Sequence, residues 1–200
     1  MLIAFEGLDQ SGKETQSRHL RARLEQDGHR VRSVSFPNYE TPIGIEITKA
    51  LAGDREFPAD VLQMLYIANR LEYKPRLEAW LAAGEIVICD RYRASSIAYG
   101  EAQGVDPAWL EDVQRVLPAS AVTVLLDISP ETAVRRKETG RDRFERDLGL
   151  LGRVRESYLR QAEASDWVVI DAGHAKDEVG DAVVTAVMPR LGPPSAPPRA

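Results

Sequence analysis

The chain has 200 residues, enough for one domain with a large core and too few for a second full one. Apolar residues make up 44% and charged residues 28%, the balance of a soluble globular protein, and no apolar stretch nears the roughly 20 residues that span a bilayer. A net charge of -5 excludes a general attraction for nucleic acid or anionic membranes, so any phosphate site must be built locally, and the single cysteine excludes an intramolecular disulfide.

In chain order, "LIAFE" (2–6) reads as a buried strand, and the start "MLIAFEGLDQSGK" lacks the basic region of a secretory signal, so a cytoplasmic protein is expected. Residues 13–27 read as a helix with Leu20 and Leu24 one turn apart, and "RVRSVSF" (30–36) as the second strand. A longer helical pattern covers 59–83, with Pro75 expected to break or kink it. "EIVICD" (85–90), "AVTVLLDI" (121–128) and "DWVVID" (166–171) supply three more strands, and 108–117, 130–138, 148–164 and 176–190 read as helices. Asp106-Pro107 and Ser129-Pro130 have the form of a cap followed by a first-turn proline. Near-continuous apolar strands alternating with helices indicate an α/β fold whose parallel sheet is covered on both faces. One domain over 1–191 is expected, followed by a disordered tail, "GPPSAPPRA" (192–200).

The loop after the first strand carries the first chemistry. Gly7, Gly12 and Lys13 satisfy the spacing G-x-x-x-x-G-K, in the required context of a strand before and an amphipathic helix after. Such a loop, Gly7, Leu8, Asp9, Gln10, Ser11, Gly12, Lys13, Glu14 and Thr15 here, turns backbone N–H groups and a helix N-terminus toward the phosphates of ATP. The bland alternative, a strand–helix turn using glycine for geometry alone, does not need the lysine. Glu14 stands where the pattern has a serine or threonine that ligates Mg²⁺. Three readings stay open: Glu14 ligates the metal, it points outward to a basic partner, or the site is weakened.

Further along, Asp90 ends an apolar strand at the sheet edge where α/β proteins place ligands, and a carboxylate there can hold Mg²⁺ directly or through water. Arg91 can grip a phosphate as a planar fork; taken in isolation, a surface ion pair explains "DR" equally well. Tyr66 and Arg70 lie four apart on one helix face, a ring to stack on a base and a guanidinium to reach its O4 or phosphate; the bland pair is a core tyrosine with a surface arginine. The run "RRKETGRDRFER" (135–146) is either a solvated face or a source of positive charge for phosphoryl transfer.

"FEGLDQSGK" (5–13), "FPNY" (36–39), "YIANR" (66–70), "DRYRASSIAYG" (90–100) and "GRDRFE" (140–145) occur in the order and spacing of thymidylate kinases, which the chain resembles over most of residues 2–171. The resemblance implies a P-loop, three-layer αβα fold with a five-stranded parallel sheet flanked by helices, a mobile lid over about 136–148, and a homodimer. It implies transfer of the γ-phosphoryl of Mg-ATP to dTMP, with ATP and dTMP as partners and no nucleic acid or membrane. It implies catalytic roles for Lys13, Asp9, Arg91, Arg141 and Arg143, the lid arginines supplying charge because Gln10 is neutral where some members carry a basic residue, with Arg136 behind them. It implies an acceptor site of Asp9, Phe36, Tyr39, Tyr66 (usually phenylalanine), Arg70, Arg91, Ser95, Ser96 and Tyr99, with Asp142 and Glu145 from the lid, and metal contacts from Asp90 and Glu14. Ser95 and Ser96 have a plainer reading as helix caps. The rivals are a kinase for another nucleoside monophosphate or a deoxynucleoside, and a nucleotide-binding module that Glu14 has stripped of transfer activity.

Overall fold

The computed structural model describes residues 1–136 and 147–192. Arg141, Asp142, Arg143 and Glu145, with the rest of 137–146, and residues 193–200 of the tail lie outside the described residues.

Five strands, β1 (Leu2–Glu6), β2 (Val31–Ser35), β3 (Ile86–Asp90), β4 (Val122–Asp127) and β5 (Val168–Asp171), form one parallel sheet in the order β2-β3-β1-β4-β5. β1 lies at the centre and is buried throughout, which is why it reads as an unbroken apolar run. Its side chains alternate: Ile3 and Phe5 join Leu20, Leu24 and Val154 in one core, while Leu2 and Ala4 join Val87, Cys89, Phe36 and Leu77 in another. Helices therefore cover both faces. They are α1 (Lys13–Gln26), α2 (Pro42–Ala52), α3 (Ala59–Ala82), α4 (Arg93–Glu101), α5 (Pro107–Val113), α6 (Pro130–Arg136), α7 (Leu148–Glu163) and α8 (Lys176–Val187), followed by a 3₁₀ turn (Met188–Arg190). Both expected caps form: Asp106 accepts from the N–H of Ala108 at 2.9 Å, and Ser129 Oγ from the N–H of Thr132 at 3.2 Å.

Three features depart from the sequence reading. Helix α3 runs unbroken through Pro75. Pro75 and Leu71, whose carbonyl the missing N–H would have served, both face solvent, so water can take that carbonyl. Helices α2 and α4 form where no helix is expected. α2 buries Gly44, Ile47 and Ala50 at helical spacing; the Thr41 side chain accepting from the N–H of Gly44 at 3.1 Å, with Pro42 in the first turn, starts it. α4, "RASSIAYGE", is small and polar in sequence, yet it buries Ala94, Ser95, Ser96, Ala98 and Gly100 between α3, α5 and α7.

The segment 36–41 that precedes α2 is stapled to α3 by Asn69, which is fully buried. Its Oδ1 accepts from the N–H of Asn38 at 2.7 Å, and its Nδ2 donates to Asn38 O at 3.0 Å and Thr41 Oγ1 at 2.7 Å. Gly44 closes the same corner, because a Cβ there would lie 1.9 Å from Asn38 O and 2.7 Å from Tyr39 Cα. Gly44→Ala is expected to lose about 1–3 kcal/mol of stability, the range of overpacking substitutions. Urea unfolding checks this; a midpoint equal to the wild type contradicts the contact.

Candidate active site

The carboxyl ends of β1 and β3 emerge side by side, with Phe5 paired to Asp90. The loop leaving β1 turns at once at Gly7, whose φ of 136° and a virtual Cβ 2.4 Å from Leu126 O leave no room for another residue. Lys13, at the start of α1, folds back into the loop and is buried; its Nζ donates to Gly7 O at 3.2 Å and Leu8 O at 2.9 Å. The N-terminus of α1 and this ammonium face one cavity, lined also by Gly12, Glu14, Thr15, Asp90 and Arg136. Backbone amides, a helix dipole and a lysine around one hollow make an anion cradle. Burial pushes the Lys13 ammonium down to about 8, and the Arg91 charge adds to this, against the pull of Asp9, Asp90 and Glu6. Arg136 tethers the cradle from outside, donating to Gln10 O at 3.1 Å and Ala172 O at 2.7 Å.

The loop leaving β3 delivers Arg91 in a left-handed backbone conformation, φ 63°. Its Nη2 donates to Asp9 Oδ1 at 2.7 Å and Tyr99 OH at 3.3 Å, and its Nη1 to Ser95 Oγ at 3.1 Å and Tyr158 OH at 3.3 Å. Behind it sits Glu6, fully buried, whose carboxylate accepts from Tyr92 N at 2.9 Å, Ser95 Oγ at 2.6 Å and Tyr158 OH at 3.1 Å. The arginine is thus gripped between two carboxylates, Asp9 directly and Glu6 through two hydroxyls. Burial opposes charge on both Arg91 and Asp9. Each nonetheless favours its charged form: Asp9 raises Arg91, while Arg91 and Lys13 hold Asp9 well below the usual carboxylate range.

Beyond Arg91 a second cavity of about 290 Å³ opens, on the scale of sites that take small ligands. Phe36, Tyr39, Tyr66, Arg70, Ser95, Ser96 and Tyr99 line it with Asp9 and Arg91. Arg70 is not at the surface but almost wholly buried, its Nη1 donating to Ser96 Oγ at 2.7 Å and Gln114 Oε1 at 3.3 Å. Ser95 and Ser96 sit inside α4 with Arg91 and Arg70 on their hydroxyls, so neither is a cap. Asp9, Gln10, Phe36, Pro37, Tyr39 and Arg91 line both cavities, which therefore share a wall.

Two expected positions behave differently from the rest. The Glu14 side chain, at the rim of the cradle, is 78% exposed and stands 3.8 Å from Arg18 one turn along α1, the outward of its three readings. Asp90 stays half-buried beside the cradle; burial raises its pKa, and Lys13 and Arg91 pull it back. Among the described residues no three His, Cys, Asp or Glu side chains gather as a metal site. Tyr158 and Gln114 belong to the site's framework without a sequence signal of their own; Glu6 and Asn69 lie inside "FEGLDQSGK" and "YIANR" with no role expected of them, although an acid ending an apolar strand, as Glu6 does, has to find buried donors.

The family model described as thymidylate kinase matches residues 5–183. The chain is 39% identical to a probable thymidylate kinase of Pyrobaculum calidifontis over 94% of this chain and 95% of that one. It is 34% identical to a thymidylate kinase of Arabidopsis thaliana over 95% of this chain and 72% of the relative. The solved structure of the Candida albicans thymidylate kinase superposes with a TM-score of 0.84 at 27% identity, covering 94% of this chain and 91% of that one.

The lowered Lys13 value sets a measurable titration. Below about pH 8 the ammonium is charged. Between there and the ordinary lysine range the folded chain binds fewer protons than the unfolded one, so this group's burden on folding fades as pH rises through that window. Observing the Lys13 Nζ by nuclear magnetic resonance is expected to show a midpoint near 8, moved lower in Asp9→Asn, which removes a charge that supports the ammonium. An ordinary lysine midpoint in both proteins contradicts the buried placement.

Proposed function

The chain belongs to the thymidylate kinase family and transfers the γ-phosphoryl group of ATP to dTMP; we propose that the shared wall at Asp9 and Arg91 is where the two phosphates meet. In this reading the cradle at Lys13 takes the donor phosphates and the cavity beyond Arg91 takes dTMP. An oxygen of the ionised dTMP phosphate attacks the γ-phosphorus, the bond to ADP breaks, and ADP leaves with the electron pair. No covalent enzyme intermediate is required, so the protein acts by placement and charge. Lys13 neutralises the donor, Arg91 holds the acceptor phosphate, and Asp9 fixes the Arg91 fork. Tyr66 offers its ring to the base, with Phe36 and Tyr39 closing the cavity. Tyr99, hydrogen-bonded to Asp9 Oδ2 at 3.3 Å, stands beside the sugar. Arg141 and Arg143, outside the described residues, are assigned the remaining charge on the migrating group, since Gln10 brings none.

Mg²⁺ fits this donor set at Asp90, a half-buried carboxylate at the cradle whose pKa burial raises, so that a further nearby cation would favour its charged form. A single carboxylate would suit an ion of this kind, and once held there it would supply further neutralisation of the donor charge. Glu14, paired outward with Arg18, is left out of the metal contact in this reading. The homodimer is supported by Val61, Met64 and Leu71, exposed at helical spacing on one face of α3 with Ile45 of the adjoining α2. No helix among the described residues is long and apolar enough to cross a membrane, and Cys89 is a buried free thiol, in keeping with a cytoplasmic setting.

The shared wall carries this reading. ADP release dependent on dTMP is expected to fall by about 10³-fold in Lys13→Ala, the order seen when a phosphoryl-transfer cation is lost. Arg91→Ala is expected to act chiefly on the KM for dTMP. Asp90→Asn is expected to raise the Mg²⁺ requirement, with Glu14→Ser leaving it alone; the reverse pattern moves the metal to Glu14. In a panel of acceptors, dUMP or a nucleoside outrunning dTMP, or ATP binding without turnover, favours one of the rival readings instead.

A further inference from the structure

Two buried side-chain atoms in the wall of the acceptor cavity have no hydrogen-bond partner, Arg70 Nε and Gln63 Oε1. Gln63 is 1% exposed. It lies seven residues before Arg70 on α3, two turns along the same face, and three before Tyr66. Its side chain runs against α4, where a Cβ on Gly100 would come within 3.1 Å of Gln63 Cγ. An amide oxygen buried between two helices without a partner is costly, and leucine or methionine would fill the same space at no such cost. A wall that keeps both atoms is made for a ligand that satisfies both.

Their chemistry selects the ligand edge. Arg70 can only donate, and Gln63 Oε1 accepts. Together they complement a ring that places a carbonyl beside an N–H, the 4-oxo pyrimidine edge of thymine or uracil. Cytosine presents the opposite order, an amino donor beside a bare ring nitrogen. The amide of Gln63 can turn over to suit it, but the guanidinium cannot change sign. We propose that Gln63 is a specificity-determining residue whose side-chain oxygen accepts from N3–H of the pyrimidine while Arg70 donates to O4. This rests on the assignment of this cavity to dTMP.

The test pairs one protein atom with one ligand atom. The protein variant is Gln63→Met, close in volume and without an acceptor. The ligand variant is the N3-methyl analogue of dTMP, which keeps O4 as a carbonyl and has a methyl group in place of the N3 hydrogen. In the wild type, kcat/KM for the analogue is expected to be about tenfold below that for dTMP, the scale of one buried neutral hydrogen bond. In Gln63→Met that penalty is expected to shrink, the advantage of dTMP over dCMP to shrink with it, and the KM for ATP to stay unchanged. A melting temperature equal to or above the wild type shows that the variant is folded. If it is lower, Gln63→Asn, which keeps the amide but draws it back, is expected to show a partial penalty. A penalty that persists undiminished in Gln63→Met assigns N3–H to another group, such as Ser96, and overturns the inference. Arg91→Ala separates the two levels. If it raises the KM for dTMP while Gln63→Met changes neither ratio, only the base-reading role falls. If neither variant affects dTMP, the cavity's assignment falls with it.

Discussion

Arg91 is the group on which the crevice turns. It reaches Asp9 in the phosphate loop at 2.7 Å, Tyr99 and Ser95 on α4, and Tyr158 on α7, so three elements of the fold converge on one guanidinium. A chain with net charge -5 has no diffuse positive field to offer two phosphate-bearing substrates. It concentrates cations instead, and concentrating them costs something: Lys13 is driven toward its neutral form by burial and by Arg91. Asp9 is the counterweight. Its charge supports both cations, which explains a carboxylate inside a loop that binds anions. Glu6 completes the arrangement from below, fixing Ser95 and Tyr158 so that their oxygens face the guanidinium.

The parallel sheet makes this meeting possible. Asp9 and Arg91 are 82 positions apart in sequence, yet β1 and β3 are neighbours in register, and the ladder continues past the strands through the N–H of Arg91 to Phe5 O at 2.9 Å. The loops that leave them start from one edge and need only a few residues to touch, in accord with ligands lying beyond the carboxyl ends of open α/β sheets. The acceptor side is then added by α3, which contributes Tyr66 and Arg70 and, through Asn69, holds the segment carrying Phe36 and Tyr39. Phe36 is itself braced edge-on by Tyr73, with centroids 5.8 Å apart. Placement of a base, a sugar and a phosphate is thus divided among α3, α4 and the β3 loop, and each is packed against the same core.

Much of this was legible in the sequence, for reasons that differ by element. The strands read clearly because β1, β3 and β4 are buried on both faces, which forces unbroken apolar runs. The phosphate loop read clearly because glycine is demanded by backbone geometry at Gly7, not by packing that other residues can imitate. Helix α4 is hidden because small residues and tertiary contacts form it, not a periodic apolar stripe, whereas α2 carries a Thr41-Pro42 start of the same form as Asp106-Pro107 and apolar positions at helical spacing that the sequence reading passed over. Pro75 misled because a helix tolerates proline where the orphaned carbonyl meets water. The framework of the site was hidden for a third reason. Glu6, Gln114 and Tyr158 act through hydrogen bonds to site residues between 44 and 152 positions away, and Gln63 through an oxygen that has none, and no local pattern encodes either.

If Asp9 and Arg91 work as one unit, the consequences of altering them cannot add. A double-mutant cycle on kcat/KM for dTMP, with Asp9→Asn, Arg91→Lys and the pair, measures this directly, since lysine keeps the charge and loses the fork. The expected result is a double variant little worse than the poorer single one, a coupling of at least about 1 kcal/mol. Losses that sum within error show two independent residues and contradict the account.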